Sequence, residues 1–257
     1  MTSAKIEATI NAPIDPPLLT GGTQVIRSEG WYQMVNPLLK ETSANEVFLS
    51  HVKDSEVEKK VETTLEIYKK HHLPFKWSIG PMSSPDRLEK VIAPLASTNW
   101  EFRGMVIDTA VALLPSSGFK TELVTRKNFS QFLEINLEGW ELRPFKDSTQ
   151  VKLQRMVDHP LYRFFIVRKE DQVIGSAGTV LKDGYGFLIA AVVLKEFRGC
   201  GAYRRLTQAR LTDLKNLKFD FAVTQARENT SAPVLEKLGF ETVYRAKIYR
   251  FDFTDAR

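Results

Sequence analysis

Residues 197–206 read FRGCGAYRRL, and the stretch leading into them, GFLIAAVVLKEF (186–197), is apolar almost to its end. A continuous run of this kind, rich in β-branched residues, predicts a buried strand. The stretch that follows, GAYRRLTQARLTDLKNL (201–217), predicts an amphipathic helix. Ala202, Leu206, Ala209 and Leu217 fall on one face with Leu214 at its edge, while Arg204, Arg205 and Lys215 point elsewhere. FRGCGAYRRL is therefore a strand-turn-helix junction. A glycine-containing turn that enters a helix leaves several backbone N–H groups without intrahelical partners. Those donors and the positive end of the helix dipole make a site for an anion. Gly199 and Gly201 let the backbone approach a ligand closely, and Arg198 with Arg204 or Arg205 can add charge-assisted bonds. The turn is too short for a G-x-x-x-x-G-K-[ST] loop. It is not G-x-G-x-x-G either, because Ala202 and Tyr203 follow Gly201. On its own, a G-x-G after a strand also marks an ordinary structural turn.

The composition narrows the alternatives. The chain has 257 residues, 43% hydrophobic and 26% charged, which suits one large globular domain or two small ones. No apolar run approaches the roughly 20 residues needed to span a bilayer. The N-terminus lacks the basic-then-apolar pattern of a signal peptide, so a cytoplasmic location without membrane attachment is expected. The single cysteine, Cys200, excludes an internal disulfide and a cysteine-rich zinc site. The net charge of +5 is spread among acids, with no basic stripe interleaved with aromatics. That argues against nucleic acid and leaves a small anionic ligand open.

Working outward, residues 1–22 are expected to be loose because of Pro13, Pro16, Pro17, Gly21 and Gly22. DSEVEKKVETTLEIYKKHH (54–72) predicts a helix with a Ser55/Glu58 capping box. FKWSIG predicts a short strand. SSPDRLEKVIAPL predicts a helix capped by Ser84 with Pro85 first. WEFRGMVIDTAVAL predicts a strand, long or broken near Gly104. LPSSGF (114–119) is the best domain boundary, giving domains 1–118 and 119–257. Beyond it the order reads β-α-α-β-β-β-α-β-α-β. The N-terminal half reads as a shorter helix-strand-helix-strand version.

VVLKEFRGCGAYRRL resembles the acyl-CoA-binding motif of the GNAT superfamily of N-acetyltransferases, a hydrophobic strand followed by R/Q-x-x-G-x-G/A and a helix. Arg198 and Gly201 match, and Tyr203 stands where the last small residue usually is. APVLEKLGFE resembles the second GNAT signature through Lys237, Gly239 and Phe240, with Asn229 near the position of the asparagine that opens it. The upstream segments GWYQMVNP and LPFKWSIG through VID resemble the degenerate first half of tandem GNAT proteins. No R-x-x-G-x-G/A pattern occurs in residues 1–118, which implies one cofactor site. The resemblance implies an α/β GNAT fold, with a mixed, mostly antiparallel central sheet flanked by helices and a smaller degenerate GNAT-like N-terminal domain.

The resemblance further implies acetyl-CoA as co-substrate, no metal, and direct transfer to a primary amine of a small molecule or peptide. Residues expected at the cofactor are Ala191, Val192 and Val193 along the strand. Arg198, Gly199, Cys200, Gly201, Ala202, Tyr203 and Arg204 are expected at the pyrophosphate, and Asn229 nearby. The tyrosine that protonates the leaving thiolate in many GNATs is replaced by Leu235, so no catalytic acid or base is assigned. Tyr244 and Tyr249 are candidate acids; Glu228, Asp183 and Glu138 are candidate bases. The loss of the usual acid also fits an alternative, a catalytically impaired module that binds acyl-CoA as a sensor. Cys200 at a helix N-terminus suits a nucleophile, but with no histidine nearby it reads as a small residue in a tight loop. His71 and His72 read as the end of a helix, and His51 and His159 as structural. Trp77, Trp100, Trp140 and Phe102 read as core or pocket lining.

Overall fold

The computed structural model describes residues 1–111 and 118–253. In chain order its elements are α1 (Ser3–Asn11), β1 (Gln24–Ser28), β2 (Trp31–Val35), β3 (Glu46–His51), α2 (Val57–Lys70), β4 (Phe75–Ile79), β5 (Ser83–Ser84), α3 (Asp86–Ile92) and β6 (Thr98–Asp108). Then follow β7 (Lys120–Leu123), α4 (Phe129–Gly139), α5 (Lys146–Val157), β8 (Tyr162–Lys169), β9 (Gln172–Lys182), β10 (Tyr185–Val193), α6 (Ala202–Asn216), β11 (Phe221–Arg227), α7 (Ser231–Glu236) and β12 (Glu241–Phe251). From β7 onward this is the order the sequence predicts. Among the described residues the chain forms two compact units, each drawn from three segments. The first takes Met1–Ala12, Met105–Gln225 and Leu235–Glu241; the second takes Pro13–Gly104, Ala226–Val234 and Thr242 onward. Residues 114–117 of the candidate boundary LPSSGF lie outside the described residues.

In the first unit the strands run β11-β10-β9-β8-β7. The neighbours from β10 to β7 are antiparallel, and β10 and β11 are parallel. A parallel pair needs a crossover, and α6 supplies it. Ala202 and Leu206 of α6 pack on Phe165, Val167, Ile174, Ala177 and Val193. The buried stripe of α6 is Ala202, Leu206, Thr207, Arg210, Leu211 and Leu214. It differs from the stripe expected from apolar residues alone: Leu217 is exposed and Arg210 is inside. Phe132 of α4 packs against Phe164 of β8 with ring centroids 4.9 Å apart.

The second unit repeats the plan. Its strands run β1-β2-β3-β4-β12, and β3 and β4 are parallel across the α2 crossover. Trp31, Val47 and Trp77 form a core with Val57, Val61, Leu65 and Tyr68 of α2 and Leu88 and Ile92 of α3. Phe75 is stacked between Tyr68 at 3.9 Å and Phe251 at 4.7 Å.

Several local expectations are corrected. Residues 3–11 are helical because the prolines begin only at Pro13, beyond the helix. Strands β1 to β3 add a meander that the sequence reading missed. The Ser55/Glu58 capping box does not form: a 3₁₀ turn over Asp54–Glu56 starts the helix, and Glu58 pairs with Arg87. Ser84 does not cap α3; it lies in β5 with its hydroxyl on His51 Nδ1.

β6 runs unbroken through Gly104, where a Cβ would lie 2.1 Å from Cε1 of Tyr244. The ring is itself packed edge-on against Phe102 at 6.0 Å. Gly104→Ala is therefore expected to destabilise the protein by about 1–3 kcal/mol through overpacking. The check is the urea midpoint of unfolding, which should fall while the native far-UV spectrum is retained.

Candidate functional site

β10 is irregular at one place. It pairs with β9 in register from Tyr185↔Lys182 to Ile189↔Gly178, and then again at Val192↔Ser176 and Val193↔Gly175. Three steps along β10 therefore match two along β9, which is a β-bulge at Ala190–Ala191. Ala190 has φ of 48°, in the left-handed region that disfavours a residue with a Cβ. Gly175 makes room for the bulge: a Cβ there would lie 2.6 Å from the Val192 carbonyl oxygen. On its other edge β10 pairs with β11 from Tyr185↔Phe221 to Leu188↔Thr224. The Thr224 hydroxyl donates to the Leu188 carbonyl at 2.9 Å and closes that ladder. Residues 189–193 continue past the last parallel pair with β11. The side chains of Val192 and Val193 are buried, Val192 against Gly139 of α4.

The loop after β10 is fixed at both ends. Leu194 N–H donates to Ile174 O at 2.9 Å, and Arg198 Nε donates to Val193 O at 3.2 Å. A 3₁₀ turn over Lys195–Phe197 leads to Gly199 with φ 81° and Gly201 with φ 100°. Gly201 is the N-cap residue of α6. The helix has no capping side chain and no acidic residue in its first turn. Arg205 N–H bonds to Gly201 O at 3.1 Å, so the amides of Ala202, Tyr203 and Arg204 precede the first intrahelical bond. A Cβ built on Gly199 meets nothing within 4 Å. Among the described residues Arg198 and Arg204 have no carboxylate partner, and Arg205 donates to Gln208 Oε1 at 3.0 Å. Uncapped amides, left-handed glycines and arginines without a carboxylate partner converge on one electropositive turn.

Cys200 is exposed with Sγ 2.8 Å from the Phe197 carbonyl oxygen, and no histidine is near it in sequence. Tyr203, the departure from the GNAT loop pattern, lies in the first turn of α6. Its ring is half-buried and packs against the core cluster beneath α6. Burial pushes the pKa of its hydroxyl up.

In the second unit, the corresponding turn between β3 and α2 reads VKDSE. It has no glycine, and it places Asp54 and Glu56 in its first turn. Negative charge at that end repels an anion.

Asn229 is exposed in the turn after β11, and Ser231, not Asn229, supplies the side-chain oxygen there, accepting from Arg227 N–H at 2.9 Å. Gly239 takes φ 94°, and Phe240 N–H bonds to Leu235 O at 3.1 Å, ending the segment. Leu235 is buried, 1% exposed.

The candidate acids and bases are committed elsewhere. Tyr249 donates to Glu89 Oε1 at 2.6 Å, and burial with that carboxylate raises its pKa far above the usual tyrosine range. Tyr244 packs on Gly104. Glu138 pairs with Arg143 at 3.0 Å. Asp183 is exposed in the β9–β10 hairpin, at the opposite end of β10 from the loop, a strand length of roughly 25–30 Å away. Glu228 is gripped by Arg103, with Nε to Oε2 at 2.8 Å and Nη2 to Oε1 at 2.5 Å. The Arg103 bonds hold its carboxyl below the ordinary value of 4.5, which makes it a weak base.

That depressed pKa stabilises the fold above pH 4.5, and the contribution is lost as the pH falls through the lowered value. Glu228→Gln is expected to remove this part of the acid sensitivity. Unfolding midpoints of the two proteins, compared between pH 7 and pH 3, should converge at the acid end.

Trp77 and Phe102 are core, Trp100 lies under Arg227 at 5.6 Å, and Trp140 is exposed. His71 ends α2, and His159 accepts from Leu161 N–H at 3.2 Å. Among the described residues no three His, Cys, Asp or Glu side chains are placed to hold a metal ion. No helix among them is long and apolar enough to cross a membrane.

Residues 127–240 match the acetyltransferase (GNAT) family model. No curated protein sequence matches significantly. The fold is similar to that of a functionally unknown conserved protein from Staphylococcus epidermidis, at TM-score 0.71 and 11% identity, covering 92% of this chain and 96% of that one. It is also similar to a GCN5-related N-acetyltransferase from Kribbella flavida, at TM-score 0.65 and 13% identity over 98% and 96% of the two chains. A tandem GNAT protein from the clavulanic acid biosynthesis pathway matches at TM-score 0.61 and 14% identity over 98% and 89%. Residues 127–240 are thus a GNAT-family acetyltransferase domain, carried in a chain with the fold of a tandem GNAT protein.

Proposed function

We propose that residues 119–257 bind acetyl-CoA and transfer its acetyl group to a primary amine of a small molecule or peptide. The observation that carries this is the β10 bulge at Ala190–Ala191 followed directly by an uncapped α6 with left-handed Gly199 and Gly201. The donor set suits a pyrophosphate: amides of residues 199–204 at a helix N-terminus, with Arg198 and Arg204 free to add charge. The backbone of Ala191, Val192 and Val193 pairs with the amides of the pantetheine arm. One N–H of the bulge polarises the thioester carbonyl, in the manner of an oxyanion hole. Bound acetyl-CoA supplies an activated acyl group on a tolerable leaving thiolate. Asn229 is an outlying polar contact for the arm.

The chain contributes position more than acid-base chemistry. Leu235 has no proton to give, Tyr249 is locked on Glu89, and Glu228 is neutralised by Arg103. Solvent then takes the ammonium proton and supplies the thiolate proton. A missing general acid costs about 10²–10⁴-fold in rate and does not forbid turnover. The same features suit the second reading, a module that binds acyl-CoA without turning it over.

The experiment is thiol release from acetyl-CoA across a panel of primary amines. Amine-dependent release by the wild type, lost in Gly201→Arg, supports transfer. Saturable acetyl-CoA binding with no release for any amine supports the binding module.

A further inference from the structure

The buried residues of α4 are Phe129, Phe132, Leu133, Ile135, Asn136 and Leu137, and only Asn136 is polar. It is 4% exposed. Its Nδ2 donates to Phe132 O at 2.8 Å, one turn back, and to Ser176 Oγ of β9 at 3.2 Å. Ser176 is fully buried, and it is the β9 residue opposite Val192, where the β10–β9 ladder resumes after the bulge. One turn further along α4, Gly139 makes room for the Val192 side chain: a Cβ there would lie 2.5 Å from Val192 Cγ2. The last turn of α4 thus meets both members of the pair that ends the bulge, Ser176 through a hydrogen bond and Val192 through close packing.

An apolar side chain at 136 would be cheaper to bury. A buried polar residue on a helix is best attested as a device that fixes register at some cost in stability. β10 needs such a device. It is apolar from Phe187 to Val193, so moving the extra residue one place along it exchanges one apolar side chain for another. Hydrophobic burial sets the place of the bulge only weakly, whereas a directional bond sets it firmly. We propose that Asn136 is a positioning residue for the acyl-CoA strand: through Ser176 it pins the register that puts the β10 bulge at Ala190–Ala191, and with it the aim of the backbone of residues 191–193. This rests on the reading of that backbone as the contact for the pantetheine arm and the thioester. Without the bond the extra residue shifts between neighbouring positions, and each position points a different N–H at the ligand.

The test uses Asn136→Leu/Ser176→Ala, which replaces both partners by apolar groups and leaves neither buried and unpaired. Its urea midpoint should match or exceed that of the wild type. Acetyl-CoA should nonetheless bind about tenfold or more weakly by calorimetry, because small misplacements of a positioning element are costly. Hydrogen–deuterium exchange read by mass spectrometry should quicken in peptides covering residues 188–194 and stay unchanged in peptides covering β8. Ser176→Ala alone leaves Asn136 its bond to Phe132 and should show the same local exchange even if the double variant folds poorly. Wild-type affinity in a folded double variant would overturn the proposal, as would exchange that quickens equally in β8 and β10 or in neither. If the wild type binds no acetyl-CoA while the local exchange difference is present, the pin stands and the acyl-CoA reading fails.

Discussion

Gly201→Val is expected to abolish saturable acetyl-CoA binding while lowering the unfolding free energy by about 1–3 kcal/mol, short of unfolding the protein. Gly201 holds φ 100°, where a β-branched residue is a severe outlier. The chain must re-route at this point, and with it the amides of residues 202–204. A misplacement of about 1 Å in a positioning element can cost on the order of 10²-fold. The loss in fold stability is small by comparison, because the loop from Arg198 to Cys200 is exposed and carries little core. Gly199→Ala is the milder change: at φ 81° an unbranched Cβ meets open space, so the affinity should fall less than in Gly201→Val.

Gly175→Ala is expected to strike the other half of the site. The added Cβ would meet the Val192 carbonyl at 2.6 Å, and backbone cannot rotate away as a side chain can. Either β9 separates from β10 or the bulge at Ala190–Ala191 shifts register. The cost is about 1–3 kcal/mol in stability. The functional cost is larger in kind, since a moved bulge re-aims the backbone of residues 191–193. Urea unfolding and acetyl-CoA titration on the same variant measure both. An unchanged KM for acetyl-CoA in an active Gly175→Ala would separate the bulge from cofactor binding.

The loop was readable because its signals are local. Two glycines after an apolar run and before a 3.6-residue period state a strand, a left-handed turn and a helix with little help from the rest of the chain. The ten elements from β7 to β12 follow the same logic. The bulge was not readable. GFLIAAVVL is apolar throughout, and only the pairing with β9 shows that three of its steps match two. A glycine at 175, inside the strand run QVIGSAG, was the available hint. Arg210 was hidden for a different reason. An arginine in a helix is read as solvated, and its burial depends in part on a β9 carbonyl, Gly178 O, that lies 32 residues away. The candidate bases failed similarly: Glu228 looked free until Arg103, 125 residues distant, was found on it. Local chemistry names the turn, while long-range pairing decides which charged groups remain available to it.

The central claim is that the bulge of β10 and the α6 turn form one acyl-CoA site. Calorimetric titration of the protein with acetyl-CoA tests it most directly. The account predicts one saturable site per chain, weakened by salt because the pyrophosphate contacts are charged, and lost in Gly201→Val. No binding heat at millimolar acetyl-CoA, or binding unaffected by Gly201→Val, would contradict it.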